Sequence, residues 1–274
     1  MLTVTTLASG SSGNSVLVSC GDSHILLDAG ISARRITNGL KAAGVQPEDL
    51  DAIFITHDHH DHVNGLQVLT KKLRVPVAAT PETCKTLEQK APNTQGLLTW
   101  MGAGEVVTVG GFRVKSFPTW HDTAGSVGFQ VATEDGSMAL CTDLGCVTDE
   151  VKNAVRGCDL LICEANHDVD WVKTSRYPYY LKQRITGQHG HLSNEQGGDL
   201  AAYAVEYGTR NVILAHLSAE NNTPAHAYQA VSARLRAAGI DPKRDLDLSV
   251  APRSESGPTY EVEHEEVREA RKIC

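Results

Sequence analysis

Apolar positions in this chain come in short runs cut by turn residues, and the period of the runs changes along its length. Leu2–Ala8 reads as a strand and Ser9–Ser15 as a Gly/Ser loop, and Val16–Ser19 with Ser23–Asp28 forms a hairpin closed at Cys20-Gly21-Asp22. Ala33–Ala43 has helical spacing and stops at Gly44. Ala52–Thr56 (AIFIT) is a continuous apolar run of the kind a buried strand shows. A helix is expected over Val63–Lys72 with Asn64-Gly65 at its start, then a strand over Val75–Ala79 and a short helix over Pro81–Glu88. Val106–Val109, Phe112–Phe117, Ser126–Thr133 and Ser137–Thr142 predict four more strands with Gly-containing turns. Leu160–Glu164 is apolar and ends on an acid, whereas Asp170–Gln188 follows no period and is expected to be irregular. Helices over Ser193–Tyr207 and Thr223–Ala238 bracket a strand at Asn211–Ala215. Asp247–Ala251 and Thr259–Val262 predict a closing strand pair, and the charged last dozen residues are expected to fray.

Strands lead in each half and helices follow, an order that fits two packed sheets covered by helices on their outer faces. No Pro/Gly/Ser-rich linker or fixed repeat divides the chain, and 274 residues can bury a sizeable core without staples. The expectation is a single α/β domain spanning residues 1–274.

Composition narrows the setting. Seven cysteines form no CxxC pair; Cys141 with Cys146 and Cys158 with Cys163 lie five apart among apolar residues, as buried reduced thiols would. Cys274 at the end is expected to be exposed, and the whole set fits a reducing compartment. The N-terminus lacks a basic region and a long apolar stretch, and no run approaches membrane-spanning length, so a cytoplasmic protein without membrane attachment is expected. The formal net charge of −8 argues mildly against a nucleic-acid partner, but bound cations at a site would reverse the local sign.

The candidate chemistry begins where AIFIT ends. His57-Asp58-His59-His60-Asp61-His62 places four imidazoles and two carboxylates in six residues. Side chains two apart in an extended segment point the same way, so His57, His59 and Asp61 can converge, and His62 can swing beside Asp61 where the chain turns into a helix. Such a mixed nitrogen and oxygen donor set suits zinc, manganese or iron.

His57, His59, Asp61 and His62 match the HxHxDH hallmark, and here the chain resembles the metallo-β-lactamase superfamily. The resemblance implies a four-layer αββα sandwich. It also implies that Asp28 in LLDAG braces the histidine loop, and that His121 (PTWHD), Asp143 (LCTDLG) and His216 (ILAHLS) complete the ligand set. Carried over, one divalent ion is held by His57, His59 and His121, a second by Asp61, His62 and His216, and Asp143 bridges them. His60 has no matched role and is expected to pack beneath the ligands. Two such ions share a water, lower its pKa toward neutrality and polarise a carbonyl or phosphoryl oxygen, while Asp61 can also aim the hydroxide. Hydrolysis follows from the site; the substrate does not.

Three further stretches bear on the substrate. Gly10-Ser11-Ser12-Gly13-Asn14-Ser15 is either a simple turn or a phosphate cradle in which Ser11, Ser12 and Asn14 take part. Gly190-His191-Leu192-Ser193-Asn194-Glu195 opens a helix: Ser193 with Gln196 fits a capping box, the helix end also favours an anion, and His191 can hold a phosphate oxygen or protonate a leaving group. Trp171–Arg184 carries Lys173, Arg176, Lys182 and Arg184 among Tyr177, Tyr179 and Tyr180, opposed nearby only by Asp170. That segment is either a nucleic-acid grip, with Arg176, Tyr180 and Arg184 foremost, or an exposed loop whose tyrosines pack on the body.

Across nearly its full length the chain resembles the YycJ/WalJ group of the superfamily, through LASGSSGNS, LLDAG, ITHDHHDH, HD followed by GF, LCTDLG, EANHD, GHLSN and AHLS. The resemblance implies a metal-dependent phosphodiesterase that degrades DNA from the 5′ end through a hydroxide bridging the metals. Kinship with tRNA-processing ribonucleases of the same fold implies that His191 and Glu164 share phosphate binding and proton transfer, with Asn166 and His167 close by. DNA is favoured over RNA as the partner. The alternatives are an RNA-processing nuclease, a small-molecule hydrolase (lactonase, cyclic-nucleotide phosphodiesterase or thioesterase), and a binding module without catalysis.

Overall fold

The computed structural model describes residues 1–264. The stretch expected to fray lies outside the described residues from position 265 on, Cys274 included.

The first sheet gathers β1 (Leu2–Ala8), β2 (Ser15–Cys20), β3 (Ser23–Leu27), β4 (Leu50–Phe54), β5 (Val77–Ala79) and β6 (Leu98–Trp100). The second gathers β7 (Val106–Val109), β8 (Phe112–Pro118), β9 (Val127–Ala132), β10 (Ser137–Cys141), β11 (Leu160–Glu164), β12 (Asn211–Ala215) and β13 (Asp247–Val250). The final strand, β14 (Thr259–Val262), crosses back to pair with β1, so each sheet has seven strands. β1 to β3 run antiparallel and β3 to β6 parallel; β7 to β10 run antiparallel and β10 to β13 parallel. In consequence β3 and β4 of one sheet, and β8, β10, β11 and β12 of the other, each end in a loop that carries one of the candidate side chains. Those strand ends are where the sequence puts Asp28, the histidine cluster, His121, Asp143, Glu164 and His216.

Alternation within the strands sorts side chains into layers. One face of each sheet turns to the other sheet, where Phe54 of β4 meets Phe129 of β9 edge-on at 5.7 Å, amid Val4, Ile25, Val114, Leu140 and Ile213. Fully burying a ring of this size stabilises by roughly 2–3 kcal/mol. The opposite faces are covered by helices. α1 (Ala33–Ala42), α3 (Leu66–Lys72) and α4 (Pro81–Lys90) bury Ile36, Leu40, Leu69 and Leu87 on the first sheet. α5 (Asp149–Val155), α8 (Asn194–Glu206) and α9 (Pro224–Ala237) bury Val151, Leu200 and Val231 on the second. The layers are those of an αββα sandwich. Cys84, Cys141, Cys158 and Cys163 are buried free thiols, and Cys20 and Cys146 are partly exposed free thiols.

Four expectations need correction. The helix assigned to Val63–Lys72 is two pieces, α2 (His60–Val63) and α3, because Gly65 N–H donates to Ala29 O instead of the Asp61 carbonyl, which accepts from Asn14 N–H. Asp170–Gln188 is not irregular. It holds α6 (Val169–Thr174), capped by Asp168, and α7 (Tyr179–Thr186), whose side chains are none of them buried. Without a core-facing stripe, no apolar period marks α7 in the sequence. The last two strands do not pair with each other, since β13 edges the second sheet and β14 the first. Finally, His60 does not pack beneath the ligands: it is exposed on the first turn of α2. Among the described residues no helix is long and apolar enough to cross a membrane.

Candidate metal centre

The histidine cluster is fixed from three sides before its imidazoles are considered. Asn14 N–H donates to the Asp61 carbonyl and Ala29 N–H to that of His62, both at 2.8 Å. Gly65 N–H donates to Ala29 O at 2.8 Å, which ties the exit of the loop to the segment after β3. The Asn14 amide is buried, accepts from Gly10 N–H at 2.9 Å, donates to Gly10 O at 3.1 Å, and brings its Nδ2 within 3.1 Å of His62 Nε2. Of the Gly/Ser loop residues expected to bind phosphate, Ser11 and Ser12 are the exposed ones.

Asp28, Asp143 and His216 are the non-glycine residues with left-handed backbones among the described residues, at φ 61°, 60° and 55°. Each directly follows a strand or its last turn. That conformation is uncommon outside glycine, tolerated best by Asn, Asp and His, and concentrated at functional sites.

Hydrogen bonds orient each ring. Asp28 Oδ1 accepts from Thr56 N–H at 2.9 Å, and its Oδ2 accepts from His62 Nδ1 at 2.8 Å. Thr56 Oγ1 lies 3.0 Å from His57 Nδ1. His121 Nδ1 donates to the Gly190 carbonyl at 3.1 Å. Glu164, fully buried, takes His191 Nδ1 and His216 Nδ1 on one oxygen, each at 2.9 Å. Its other oxygen accepts Leu144 N–H and Leu192 N–H at 3.0 Å each. With Nδ1 committed to a neighbour, His57, His62, His121 and His216 present Nε2 to a common centre, the usual arrangement behind a metal-bound imidazole.

Two donor triads result. His57, His59 and His121 bring their ligand atoms within 4.8 Å of one another, and so do Asp61, His62 and His216. Asp143 reaches both, with Oδ2 3.2 Å from His62 Nε2 and Oδ1 3.5 Å from His121 Nε2. The donor chemistry fits a divalent cation on two observations. His57 Nε2 is buried and without a hydrogen-bond partner, and Asp143 Oδ2, despite its short approach to His62, makes no well-directed hydrogen bond. Buried polar atoms left unpaired cost about 1–3 kcal/mol each, a cost that a cation between the triads removes.

The charges of the protein alone are strongly split. Burial pushes His57 well below the ordinary imidazole range, and the neighbouring His62 adds to the effect. Burial would do the same to His62, but Asp143 and Asp28 on either side outweigh it and push the ring well above that range. For His216 burial is likewise outweighed by Asp143, Asp61 and Glu164. Burial opposes ionisation of both buried acids, but His216, His62 and His57 hold Asp143 well below the usual carboxylate range, and His191 with His216 brings Glu164 down to about 2. His167, buried beside the network, is pushed down to about 4, chiefly by desolvation.

A cleft of about 180 Å³ opens beside the triads, walled by Ser11, Asp122, Asn166, Tyr177, Arg184 and His191 among others. Arg184 reaches it but is engaged by the Asp122 carboxylate, a partner far off in sequence. Arg176 is exposed, and Tyr180 is 73% exposed on α7; neither lines the cleft. Ser193 is buried and forms the capping box with Gln196. Sequence reasoning named Glu164 but not its position beneath two histidines, and it missed Asp122 and Tyr177 as walls. Asp122 follows a candidate ligand directly, which is the one signal that points to it.

The profile of the β-lactamase superfamily domain matches residues 23–217. The chain is 36% identical over 239 residues to the exodeoxyribonuclease WalJ of Streptococcus pneumoniae, covering 85% of this chain and 88% of the relative. It is 35% identical over 237 residues to the exodeoxyribonuclease YycJ of Bacillus anthracis, covering 85% and 89%. Among solved structures, the metallo-β-lactamase fold protein YhfI of Bacillus subtilis superposes with a TM-score of 0.71 at 18% identity, covering 95% of this chain and all of that one, a likeness of fold. The donor triads at the strand ends, the sandwich and these relatives agree: the chain belongs to the metallo-β-lactamase superfamily, in the group of YycJ and WalJ.

Proposed function

We propose that this protein is a divalent-metal-dependent phosphodiesterase that removes nucleotides from the 5′ end of DNA, working as one hydrolase domain in a reducing, cytoplasmic compartment. The observation that carries the reading is the pair of donor triads sharing Asp143, with His191, a wall of the neighbouring cleft, 3.7 Å from Asp143 Oδ1 through its Nδ1. His57, His59 and His121 would hold one ion and Asp61, His62 and His216 the second, with Asp143 within reach of both. Zinc, manganese and iron all suit the mixed imidazole and carboxylate set. The chemistry such ions supply when bound is charge stabilisation at the phosphoryl oxygens and an activated water.

The chain's own groups do the rest. Asp61 accepts a hydrogen bond and aims the attacking water in line with the leaving oxygen. His191 is held through Nδ1 by Glu164 at 2.9 Å, which aims its Nε2 so that the doubly protonated ring can pass the Nε2 proton to the departing oxygen. Glu164 is fully buried and kept ionised, and acts as a positioning residue that fixes the tautomer of His191 and His216 together. Ser11 at the cleft wall, with Ser12 beside it, contributes to phosphate binding, and Ser193 contributes through the helix end it caps. Arg184 and Arg176 supply cations along the strand, and Tyr180 an exposed ring. The exodeoxyribonuclease relatives support DNA as the substrate.

The experiment is a panel of 5′-labelled and 3′-labelled DNA and RNA, single and double stranded, with manganese or zinc and with a chelator. The expected result is stepwise loss of nucleotides from 5′-phosphorylated DNA, abolished by chelation and by Asp143→Asn. Inertness toward every polynucleotide, alongside turnover of a small ester or lactone, overturns the reading.

A further inference from the structure

Trp120 lies one residue before His121, and 46% of its surface is exposed. Its indole stacks on the imidazole of His189, with ring centroids 5.5 Å apart and planes 12° from parallel. An exposed indole serves no core, yet this one is firmly rooted. The Trp120 carbonyl accepts Gly145 N–H at 2.8 Å, two residues beyond Asp143. His121 Nδ1 donates to the carbonyl of Gly190, the neighbour of His189, at 3.1 Å. Gly145 permits the closest of these approaches, because a Cβ there would lie 2.0 Å from Gln188 O and 2.5 Å from His189 N. The loops carrying Trp120, Asp143 and His189 therefore touch backbone to backbone. Asp122, Gly190 and His191, the sequence neighbours of the two rings, wall the cleft itself.

We infer that Trp120, backed by His189, is a stacking platform for the base of a nucleotide flanking the cleaved bond. The inference rests on the nuclease reading and names a specificity element for it. A phosphodiester held between the triads and His191 has its adjoining nucleosides close to the loops that carry the indole and His189, whose neighbours Asp122 and Gly190 wall the cleft. Stacking on an aromatic ring is tolerant of sequence, since every base has a π face, which suits an exonuclease that must accept each nucleotide in turn. Because the imidazole already orders the indole, little freedom is lost when a base arrives.

The test compares kcat/KM, with manganese present, for 5′-phosphorylated DNA strands bearing adenine or an abasic tetrahydrofuran unit at the first or the second nucleotide. For the unaltered protein the base-bearing strand is expected to be favoured by about tenfold at one of the two positions. In Trp120→Ala that ratio collapses toward one; Trp120→Phe keeps most of it, and His189→Ala keeps part. Metal content of each variant, by elemental analysis, stays at the unaltered value. An unchanged ratio in Trp120→Ala overturns the platform, even if absolute rates fall, because equal loss on both strands marks a structural effect. A ratio of one in the unaltered protein overturns it too. Inertness of the unaltered protein toward all these strands sinks the nuclease reading itself, and the platform with it.

Discussion

Asp28 shows how much of the centre depends on one side chain that touches no ion. Its backbone is left-handed, at φ 61°, and its two oxygens divide between Thr56 and His62. Because Oδ2 accepts the His62 Nδ1 proton, His62 Nε2 is left free to face the donor cluster. Asp28→Asn keeps the tolerance for this backbone and nearly the same shape. An amide NH₂ directed at His62 Nδ1 would move the ring proton to Nε2, the ligand atom. The expected outcome is metal affinity lowered about 10- to 100-fold with the fold intact, measured by competition against a chromophoric zinc chelator. Affinity equal to that of the unaltered protein would show that Asp28 does not set the tautomer. At this scale the sequence was highly legible where residues cluster, as in His57 to His62. It was poorly legible for Glu164, because a carboxylate becomes a brace only when residues 27 and 52 positions away arrive beneath it.

At the scale of elements, legibility followed burial. Strands such as β10 and β11, buried along their whole length, and helices with a buried stripe such as α1 could be read nearly to their ends. The helix α7 could not, since nothing in it is buried and tertiary contact rather than period holds it in place. The break between α2 and α3 was also hidden, because its cause is a neighbour from another segment. Gly65 lies against Ile31 O so closely that a Cβ would be 2.2 Å away, and its N–H donates to Ala29 O at 2.8 Å. Gly65→Ala forces two backbone segments apart, and those segments carry Asp28 on one side and His62 on the other. Overpacking of this kind costs roughly 1–3 kcal/mol. Urea unfolding should show a lowered midpoint with an unchanged slope, and metal affinity should fall with it. A midpoint within error of the parent would mean that the loop yields freely and that the short approach does not hold the histidine cluster in place.

For the molecule as a whole, the donor cluster is also a junction. Asp61 and the histidines from 57 to 62 come from the first sheet, whereas His121, Asp143 and His216 come from strand ends of the second. Apolar packing between the sheets, around Phe54 and Phe129, already joins them without help from the site. Cations held at the junction bind the native arrangement and not a chain whose four contributing segments have separated, so loading must raise stability by mass action. At a free metal concentration one hundred times the dissociation constant the gain is about 2.7 kcal/mol, equivalent to roughly 5–10 °C in melting temperature for a chain of this size. Calorimetry of chelator-stripped and zinc-loaded protein should resolve that difference. Asp143→Asn should lose most of it, because the amide leaves the position between the triads without its charge. Identical melting curves for stripped and loaded protein would mean that the two sheets do not share their ions. The donor cluster would then be a set of paired acids and histidines, and the hydrolytic reading would lose its foundation.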